Sequence, residues 1–131
     1  MIQEKQLLTK DLCGRLPYGV ICKTHFGNYE LLGIDGTTLH LDSPIYDEGD
    51  GYFDLEYMEI QPFLRPMSSM TEEEFKEYSK LWDLQDEYAT DADIRFKVDL
   101  FDWLDKKMFD YRGLIPMGLA LEAPEDMYNK Q

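Results

Sequence analysis

The chain has 131 residues, 44% of them hydrophobic and 14% aromatic, which is long and apolar enough to bury a core and excludes a disordered chain. Its 27 acidic and 13 basic residues give a net charge of −14, which repels a phosphate backbone, so we expect no direct binding to nucleic acid. The same charge favours a basic protein, a basic peptide or a cation as partner, or serves only to keep the chain soluble.

The first predicted element is a short helix over residues 5–16. Leu12 and Leu16 lie four apart and share one face of it, and Thr9 or the residues just before it could cap it. Pro17 ends this helix, because the residue before a proline avoids the helical conformation.

A β-hairpin is the strongest local signal, over residues 29–42. Asp35 and Gly36 supply the positive φ angles of a type I′ turn, and a two-residue loop there pairs Ile34 with Thr37. This register predicts a core face made of Leu32, Ile34, Leu39 and Leu41.

Two further strands are predicted beside the hairpin, over residues 18–26 and 52–60. The first strand alternates, with Tyr18, Val20 and Cys22 on one side. The second has Phe53, Leu55 and Tyr57 on one side and Asp54 and Glu56 on the other.

These elements predict an α+β fold in a single domain of residues 1–131. Four strands joined by short turns indicate a small SH3-like antiparallel β-barrel or a bent sheet over about residues 18–64. Residues 1–66 would hold the short helix and the β half. Residues 67–131 would form a helical half that packs two or more helices against it.

The clearest predicted helix covers residues 71–84. Thr71 and Glu74 form a capping box, and Met70 and Phe75 occupy the two positions of a hydrophobic staple. The apolar face of this helix consists of Phe75, Tyr78, Leu81 and Trp82.

A loop is predicted over residues 85–93 and a second helix over 99–111. Asp99 can cap its start, and Gly113 suits the left-handed position after its end, where Leu114 could fold back on Phe109. Its apolar stripe consists of Leu100, Leu104, Met108 and Tyr111. Residues 114–123 fit a short strand or a helical turn equally well.

The sequence predicts no catalytic residue and no cofactor. Cys22 and His25 are three apart on a predicted strand, so their side chains point to opposite faces and cannot pair. His40 and Asp42 share a face but lie roughly 7 Å apart, too far for a direct hydrogen bond. His40 therefore indicates a half-exposed strand histidine.

An acidic loop between the strands invites comparison with a calcium site. Placing Gly51 at position 6 of an EF-hand loop puts Tyr46 at position 1 and Tyr57 at position 12, so the EF-hand pattern fails. A looser oxygen-ligand site remains open, made of Asp47, Glu48, Asp50 and Asp54. We predict no metal ligand set.

Aromatic residues alternate with carboxylates in the same region. From Asp42 to Glu59 there are seven carboxylates and no Lys or Arg. Tyrosine rings amid acid suit a basic peptide, as in SH3-like recognition. The predicted partner-binding residues are Tyr46, Asp47, Glu48, Asp50, Tyr52, Asp54 and Tyr57.

Location and redox state follow from two simpler patterns. The start of the chain lacks the apolar core of a signal peptide, and no run approaches the roughly 20 apolar residues of a membrane span, so we expect a cytoplasmic protein without a membrane partner. Cys13 and Cys22 match no zinc or redox motif and indicate small, reduced core residues.

Arg112 could grip an anionic ligand or play a structural part. At the end of the predicted helix a cation complements the helix dipole, and the side chain could pair with Asp110 or stack on an aromatic ring. We favour the structural role, because one arginine without convergent partners is a weak site signal.

The C-terminal third carries the one recognisable segment, Phe109-Asp-Tyr-Arg-Gly-Leu-Ile115, within residues 101–124. It resembles the C-terminal segment of short uncharacterised proteins that recur in gut anaerobe genomes and their phage-like elements. Leu64–Glu74 adds a weaker resemblance. The likeness implies no activity, and members of that group often carry histidine where this chain has Lys107 and Met108.

These patterns predict a non-enzymatic interaction or accessory protein of a mobile element that binds a basic partner through an acidic, tyrosine-rich surface. A sharper form is a nucleic-acid mimic that occupies a DNA-binding protein. The alternatives are a small enzyme or enzyme subunit with an unrecognised site, and an assembly subunit. The sequence does not indicate an oligomeric state.

Overall fold

A computed structural model describes the backbone of residues 2–42, 51–87 and 92–128, and the side chains of residues 3–42, 51–82 and 98–128. Within these residues the chain forms three α-helices and six strands. The helices are α1 (Ile2–Arg15), α2 (Glu72–Glu87) and α3 (Ala92–Lys106), with single 3₁₀ turns at Leu16–Tyr18 and Met67–Ser69. The strands are β1 (Ile21–Thr24), β2 (Gly27–Asp35), β3 (Thr38–Leu41), β4 (Tyr52–Asp54), β5 (Gln61–Leu64) and β6 (Leu121–Glu122).

The strands form one mixed sheet in the order β4-β3-β2-β1-β5-β6. Neighbouring strands are antiparallel except β5 and β6, which are parallel. The predicted α+β class is confirmed. The sheet is open, with β4 and β6 at its two edges, so the SH3-like closure is not confirmed.

The predicted hairpin forms, but its register was wrong. Asp35 pairs with Thr38, and the turn consists of Gly36 and Thr37, of which only Gly36 has a positive φ angle, 63°. The ladder shifts again between Leu31 and Gly33. Leu31 therefore takes the core position, with 1% of its surface exposed.

The shift also changes which predicted core residues are buried. Leu32 is 47% exposed, which contradicts its predicted place in the core, and Ile34 is half-buried. Leu39 and Leu41 are buried, as predicted. A bulge of this kind moves a side chain to the opposite face of the sheet, and periodicity alone does not locate it.

The two flanking strands are shorter than predicted. Val20 and Cys22 are buried, Cys22 as predicted, whereas Tyr18 lies in the 3₁₀ turn and is 37% exposed. The strand predicted over residues 52–60 ends at Asp54, because the N–H groups of Tyr57 and Met58 donate to the Asp54 carbonyl and close a turn. Phe53 and Leu55 are buried, whereas Tyr57, one of the predicted partner-binding residues, is 82% exposed.

Helix α1 begins at Ile2, earlier than predicted, and ends at Arg15. Thr9 is not a cap, because it lies inside the helix and its hydroxyl donates to the Lys5 carbonyl at 2.8 Å. Pro17 lies in the 3₁₀ turn that follows, and Gly19 closes that turn with a φ angle of 75°.

Helix α2 starts as the capping box predicts. The Glu74 N–H donates to Thr71 Oγ1 at 3.1 Å, and the Thr71 N–H donates to Glu74 Oε1 at 3.0 Å. The helix runs on to Glu87 and α3 begins at Ala92, so residues 85–87 and 92–93 of the predicted loop are helical, while residues 88–91 lie outside the described residues.

The predicted second helix was displaced at both ends. Helix α3 runs over Ala92–Lys106, which places Asp99 inside it rather than at its cap. Met108 ends it with a φ angle of 64°, while the N–H of Met108 donates to Asp105 and that of Phe109 to Leu104. These two bonds are the Schellman pattern, so Met108 holds the left-handed position after the helix that Gly113 was predicted to take. Gly113 is left-handed as predicted, with a φ angle of 75°, but it lies well beyond the end of α3.

The segment after Met108 turns back along the sheet. Arg65 exchanges backbone hydrogen bonds with Met108 and Asp110, and residues 114–120 are turns. Leu114 is buried in the sheet core. The question left open for residues 114–123 is settled by Leu121–Glu122, a two-residue strand beside β5.

Two groups of buried apolar residues result. The sheet core combines strand residues with Leu8 and Leu12 of α1 and with Met108, Leu114 and Ala120. A smaller core between α2 and α3 consists of Leu100, Leu104 and Phe109, with Tyr78, Leu81 and Trp103 packed around it. None of the described helices is long and apolar enough to cross a membrane.

Candidate functional site

The structure brings only part of the predicted acidic, tyrosine-rich surface into view. Four of its seven residues, Tyr46, Asp47, Glu48 and Asp50, lie outside the described residues. The other three, Tyr52, Asp54 and Tyr57, lie on β4 and in the turn that follows it.

Tyr52 stands on β4 with 58% of its surface exposed. Its ring stacks on His40 of β3, with ring centroids 4.7 Å apart and an angle of 19° between the planes. This stack follows from the pairing of His40 with Tyr52 across the two strands. His40 is therefore a half-buried strand histidine beside an aromatic ring, while Asp42 is exposed.

The Asp54 carboxylate is used within the fold. Its Oδ1 accepts hydrogen bonds from Thr37 Oγ1 at 3.0 Å and from the Glu56 N–H at 2.9 Å. These bonds hold the turn that ends β4 and commit one oxygen of Asp54. Asp54 is thus a weaker candidate for a partner or cation than the sequence suggested.

Tyr57 projects from that turn between two carboxylates. It is 82% exposed, and its neighbours Glu56 and Glu59 are exposed as well. The exposed ring, flanked by negative charge, can stack on a guanidinium group while the carboxylates pair with it.

Sequence reasoning missed a buried cluster of charged residues between α1, α3 and the segment after Met108. Arg15 and Asp11 are both fully buried, and Arg15 Nε and Nη2 donate to the two Asp11 oxygens at 2.8 and 3.1 Å. Arg15 Nη2 also donates to the Phe109 carbonyl at 2.7 Å. Arg112 Nε donates to Asp11 Oδ1 at 3.1 Å.

Asp105 and Tyr111 complete this cluster. Tyr111 Oη donates to Asp105 Oδ1 at 2.8 Å, and Arg15 Nε lies 4.0 Å from the same oxygen. Burial raises the pKa of Asp105 above its ordinary value, although the Tyr111 bond and Arg15 oppose the change. Burial and the Asp105 bond raise the pKa of Tyr111 to about 12, so its hydroxyl stays protonated.

The polar groups of this cluster bond mainly to one another, which indicates a structural role. The cluster is a joint that connects α1, α3 and the segment after Met108. Gly14 permits the close approach, because a Cβ atom there would lie 2.8 Å from Asp105 Oδ2. Arg15 Nη1 is buried without a hydrogen-bond partner among the described residues. A sequence signal existed: Leu8, Leu12 and Arg15 fall on one helical stripe, so a charged residue lies on the buried face of α1.

Arg112 belongs to this joint and not to a helix end. Its guanidinium lies 5.1 Å from the centre of the Tyr111 ring, which confirms the predicted stacking on an aromatic ring. The predicted pairing with Asp110 was wrong. Asp110 instead accepts the N–H groups of Leu114 and Ile115 at 2.8 and 2.9 Å and shapes the next turn.

The two cysteines differ. Cys22 is buried in the sheet core, as predicted, and burial raises its pKa to about 12, so the thiolate is disfavoured. Cys13 is exposed on α1, which contradicts its predicted place in the core. Its helix packs on the sheet through Leu8 and Leu12, and Cys13 lies off that stripe.

Metal ligands do not converge in the part of the chain that the structure describes, where no group of three or more His, Cys, Asp or Glu side chains could hold an ion. Three residues of the looser cation site, Asp47, Glu48 and Asp50, lie outside that part.

Two adjoining hollows open on the N-terminal half of α2. The larger, about 650 Å³, is lined by Met70, Phe75, Lys76 and Lys80 among others. The smaller, about 330 Å³, shares Met70 and Phe75 and adds Met67 and Tyr78. Met70 and Phe75 are the predicted staple positions, yet Phe75 remains 52% exposed.

No family model, curated protein or solved structure matched this chain in the comparisons that we made.

Proposed function

We propose that this chain is a non-enzymatic interaction protein, an accessory protein of a mobile element, that binds a basic protein or peptide. The binding surface is the turn after β4 together with the outer face of β4. The observation that carries the proposal is the 82% exposure of Tyr57, between the exposed carboxylates of Glu56 and Glu59.

The exposed Tyr57 ring gains burial free energy when a partner covers it. Large aromatic side chains bury most of their surface in folded proteins, and tyrosine is enriched where one face meets a partner. Tyr52, 58% exposed, provides a second ring on the adjoining strand. Both rings offer a face to an arginine side chain of a partner.

The negative charge of the segment from Asp42 to Glu59 indicates that its partner is basic. This segment holds seven carboxylates and no basic residue, in a chain of net charge −14. Such a surface speeds the encounter with a basic partner and gives a binding constant that falls as salt rises. The mobile-element part of the proposal rests on the resemblance of the Phe109–Ile115 segment.

The first test uses a fluorescein-labelled arginine-rich peptide and its glutamate-substituted counterpart, followed by fluorescence anisotropy at low and high salt. We expect only the arginine peptide to bind, and its affinity to fall steeply with salt. Tyr57→Ser and the pair Glu56→Gln with Glu59→Gln should each weaken binding about tenfold, a loss of about 1.4 kcal/mol.

A matched control removes the same charge elsewhere. Glu125 and Asp126 are exposed near the C-terminus, and the pair Glu125→Gln with Asp126→Asn should leave the affinity within about twofold. Equal losses in both pairs would show attraction to net charge alone and would overturn the proposed surface. If only the Tyr57 and Glu56/Glu59 variants lose affinity, capture from lysate at the same two salt concentrations is used to identify the partner.

A specific observation also bears on the alternative of a small enzyme. Residues with shifted pKa values cluster at functional sites, and Asp105 and Tyr111 are such a pair beside Arg112. Their polar groups are bound to one another rather than directed at an open cleft. We therefore favour the interaction function and assign the cluster to the fold.

A further inference from the structure

Phe75 is a surface residue for which the fold provides little cover. It lies one turn into α2 and lines both hollows, and 52% of its surface is exposed. Its neighbours there, Met67 and Met70, are flexible side chains that adapt to the shape of what they contact. An apolar floor of this kind, made of one aromatic ring and two methionines, suits an apolar anchor from another molecule.

The charges around the larger hollow differ from those of the whole chain. Lys76 and Lys80 line it, with Glu72 as its one acidic lining residue. Two other carboxylates of α2 have partners within the chain, since Glu74 pairs with Arg65 and the exposed Glu77 accepts the Trp103 Nε1–H at 2.9 Å. Glu73 is exposed and does not line the hollow. Neither lysine is in an ion pair with another side chain that the structure describes.

The spacing of the two lysines suggests the form of the occupant. They lie four residues apart on α2, which is about 6 Å along the helix axis. Carboxylates four residues apart on another helix have the same spacing, so such a helix laid along α2 can meet both ammonium groups. Its apolar face would then lie over Phe75.

We propose that the two adjoining hollows together, here called the α2 groove, are a second docking site that binds an acidic amphipathic helix of a protein partner. Leucine or aromatic anchors of that helix contact Phe75 and the two methionines. Its carboxylates pair with Lys76 and Lys80. The site is independent of the surface around Tyr57 and takes a partner of opposite charge.

The net charge of −14 opposes the approach of an acidic partner at long range. Beyond about 8 Å this repulsion is screened at physiological ionic strength, whereas lysine–carboxylate pairs formed at contact are less screened. The preference for acid is therefore a property of the groove, and it is measured at physiological salt.

The test uses two labelled helical peptides with the same leucine face, one edged with glutamates a turn apart and the other with lysines. Fluorescence anisotropy should show the glutamate peptide binding about tenfold or more tightly than the lysine peptide, and the loss of that preference in the variant Lys76→Glu with Lys80→Glu. Phe75→Ser should weaken the binding of both peptides by about tenfold.

The matched control reverses two exposed lysines elsewhere, Lys10→Glu with Lys23→Glu, and should leave the affinity within about twofold. Circular dichroism melts confirm that each variant is folded. The proposal would be overturned if the glutamate peptide bound the variant Lys76→Glu with Lys80→Glu as tightly as it binds wild type. It would also be overturned if wild type bound the lysine peptide more tightly than the glutamate peptide. A wild-type dimer that Phe75→Ser dissolves would overturn it as well, because the groove would then be covered by a second copy.

Each proposal can be overturned while the other holds, because the variants change different surfaces. Glu56→Gln with Glu59→Gln should not change binding of the glutamate-edged helix. The lysine reversal on α2 should not weaken binding of the arginine-rich peptide.

Discussion

The sheet and the α2–α3 pair close their apolar surfaces to different degrees. Among the described residues, fourteen buried apolar side chains form the sheet core, whereas three form the core between the helices. The helical pair also leaves Phe75, Trp82 and Phe101 between 43% and 52% exposed. The sheet thus has the larger closed core, although Tyr52, Phe26 and Leu32 on its surface are 47% to 58% exposed, and the small core of the helical pair leaves surface that a partner could cover.

The two regions are also held differently. The sheet is stabilised mainly by the backbone hydrogen bonds between its strands and by its apolar core. The α2–α3 pair depends more on polar side-chain contacts with the rest of the fold, here called ties: the buried cluster around Arg15, and the pair of Arg65 with Glu74. Substitutions at these ties therefore measure how much they contribute to the stability of the fold.

The largest effect is expected from Asp11→Ala. It leaves Arg15 buried without the carboxylate that it pairs with and removes the carboxylate partner of Arg112. Breaking one partner of a buried pair costs about 3 to 5 kcal/mol, because the remaining charge is left uncompensated.

Urea denaturation followed by tryptophan fluorescence measures this loss. Lys10→Ala, next to Asp11 on the exposed side of α1, is the control and should change the free energy of unfolding by less than about 0.5 kcal/mol. A loss of similar size in both variants would mean that the cluster is not a joint.

A second expected loss lies in the sheet. Tyr128 Oη accepts the Ile21 N–H at 2.8 Å and donates to the Phe63 carbonyl at 2.8 Å, so it bridges β1 and β5 where their pairing is short. Tyr128→Phe should cost about 1 to 3 kcal/mol, because the Ile21 N–H and the Phe63 carbonyl, both in part-buried bonds, lose this partner.

Tyr57→Phe is the matched control for that measurement, since the same hydroxyl is removed from an exposed ring. Its free energy of unfolding should stay within about 0.5 kcal/mol of wild type. If both variants unfold at the same urea concentration as wild type, the C-terminal tyrosine does not fasten the sheet.

The third prediction concerns the tie between β5 and α2. Arg65 holds Glu74 with two bonds of 2.8 and 2.7 Å, and this pairing lowers the pKa of Glu74 from its ordinary 4.5 to about 2. Glu74→Gln should cost about 1 to 2 kcal/mol at neutral pH, since the charge-assisted pairing with Arg65 is lost, while glutamine keeps the oxygen that the capping box needs.

The pH dependence of that loss has a defined sign. A carboxyl group whose pKa is lowered in the folded state stabilises it above the unfolded pKa, and this contribution disappears as pH falls from about 4.5 towards 2. The difference between wild type and Glu74→Gln should shrink over that window. Glu73→Gln removes an exposed charge from the same helix turn and should show no such trend.

Much of the local structure could be predicted because its causes are local. The capping box at Thr71, the alternation of Val20 and Cys22, and the glycine in the hairpin turn each depend on a few neighbouring residues. The same locality explains the register error. A type I′ turn needs two positive φ angles, and only Gly36 provides one.

The remaining features depend on contacts that are distant in sequence. Met108 holds a left-handed conformation that usually takes glycine, and it does so while buried in the sheet core. Arg15 meets a carbonyl 94 residues away, and Arg112 meets Asp11 across 101 residues. No periodicity in one segment shows such a pairing, so the buried cluster was missed and α3 was misplaced.

The smallest effect is expected from Asp105→Asn, which tests whether burial or the neighbouring charges dominate at this carboxyl group. Asp105 faces Arg15 and Tyr111 as attractive groups and Asp11 as a like charge, and burial raises its pKa above the ordinary 3.8. A raised carboxyl pKa means that its protonation favours the folded state, so this contribution is present at low pH and is lost as pH rises through the folded pKa. Asp105→Asn keeps an oxygen for the Tyr111 hydroxyl and carries no charge. It should change the free energy of unfolding at neutral pH by less than about 1 kcal/mol.

Relative to wild type, Asp105→Asn should gain stability as pH rises from acid to neutral, measured by urea denaturation across a pH series. Asp102→Asn, on the exposed side of the same helix, should show no comparable gain. The opposite trend for Asp105→Asn would mean that the ionised carboxylate is held by Arg15 more strongly than burial opposes it. The joint would then depend on both of its aspartates, and the helical pair would be tied to α1 by charge rather than by shape.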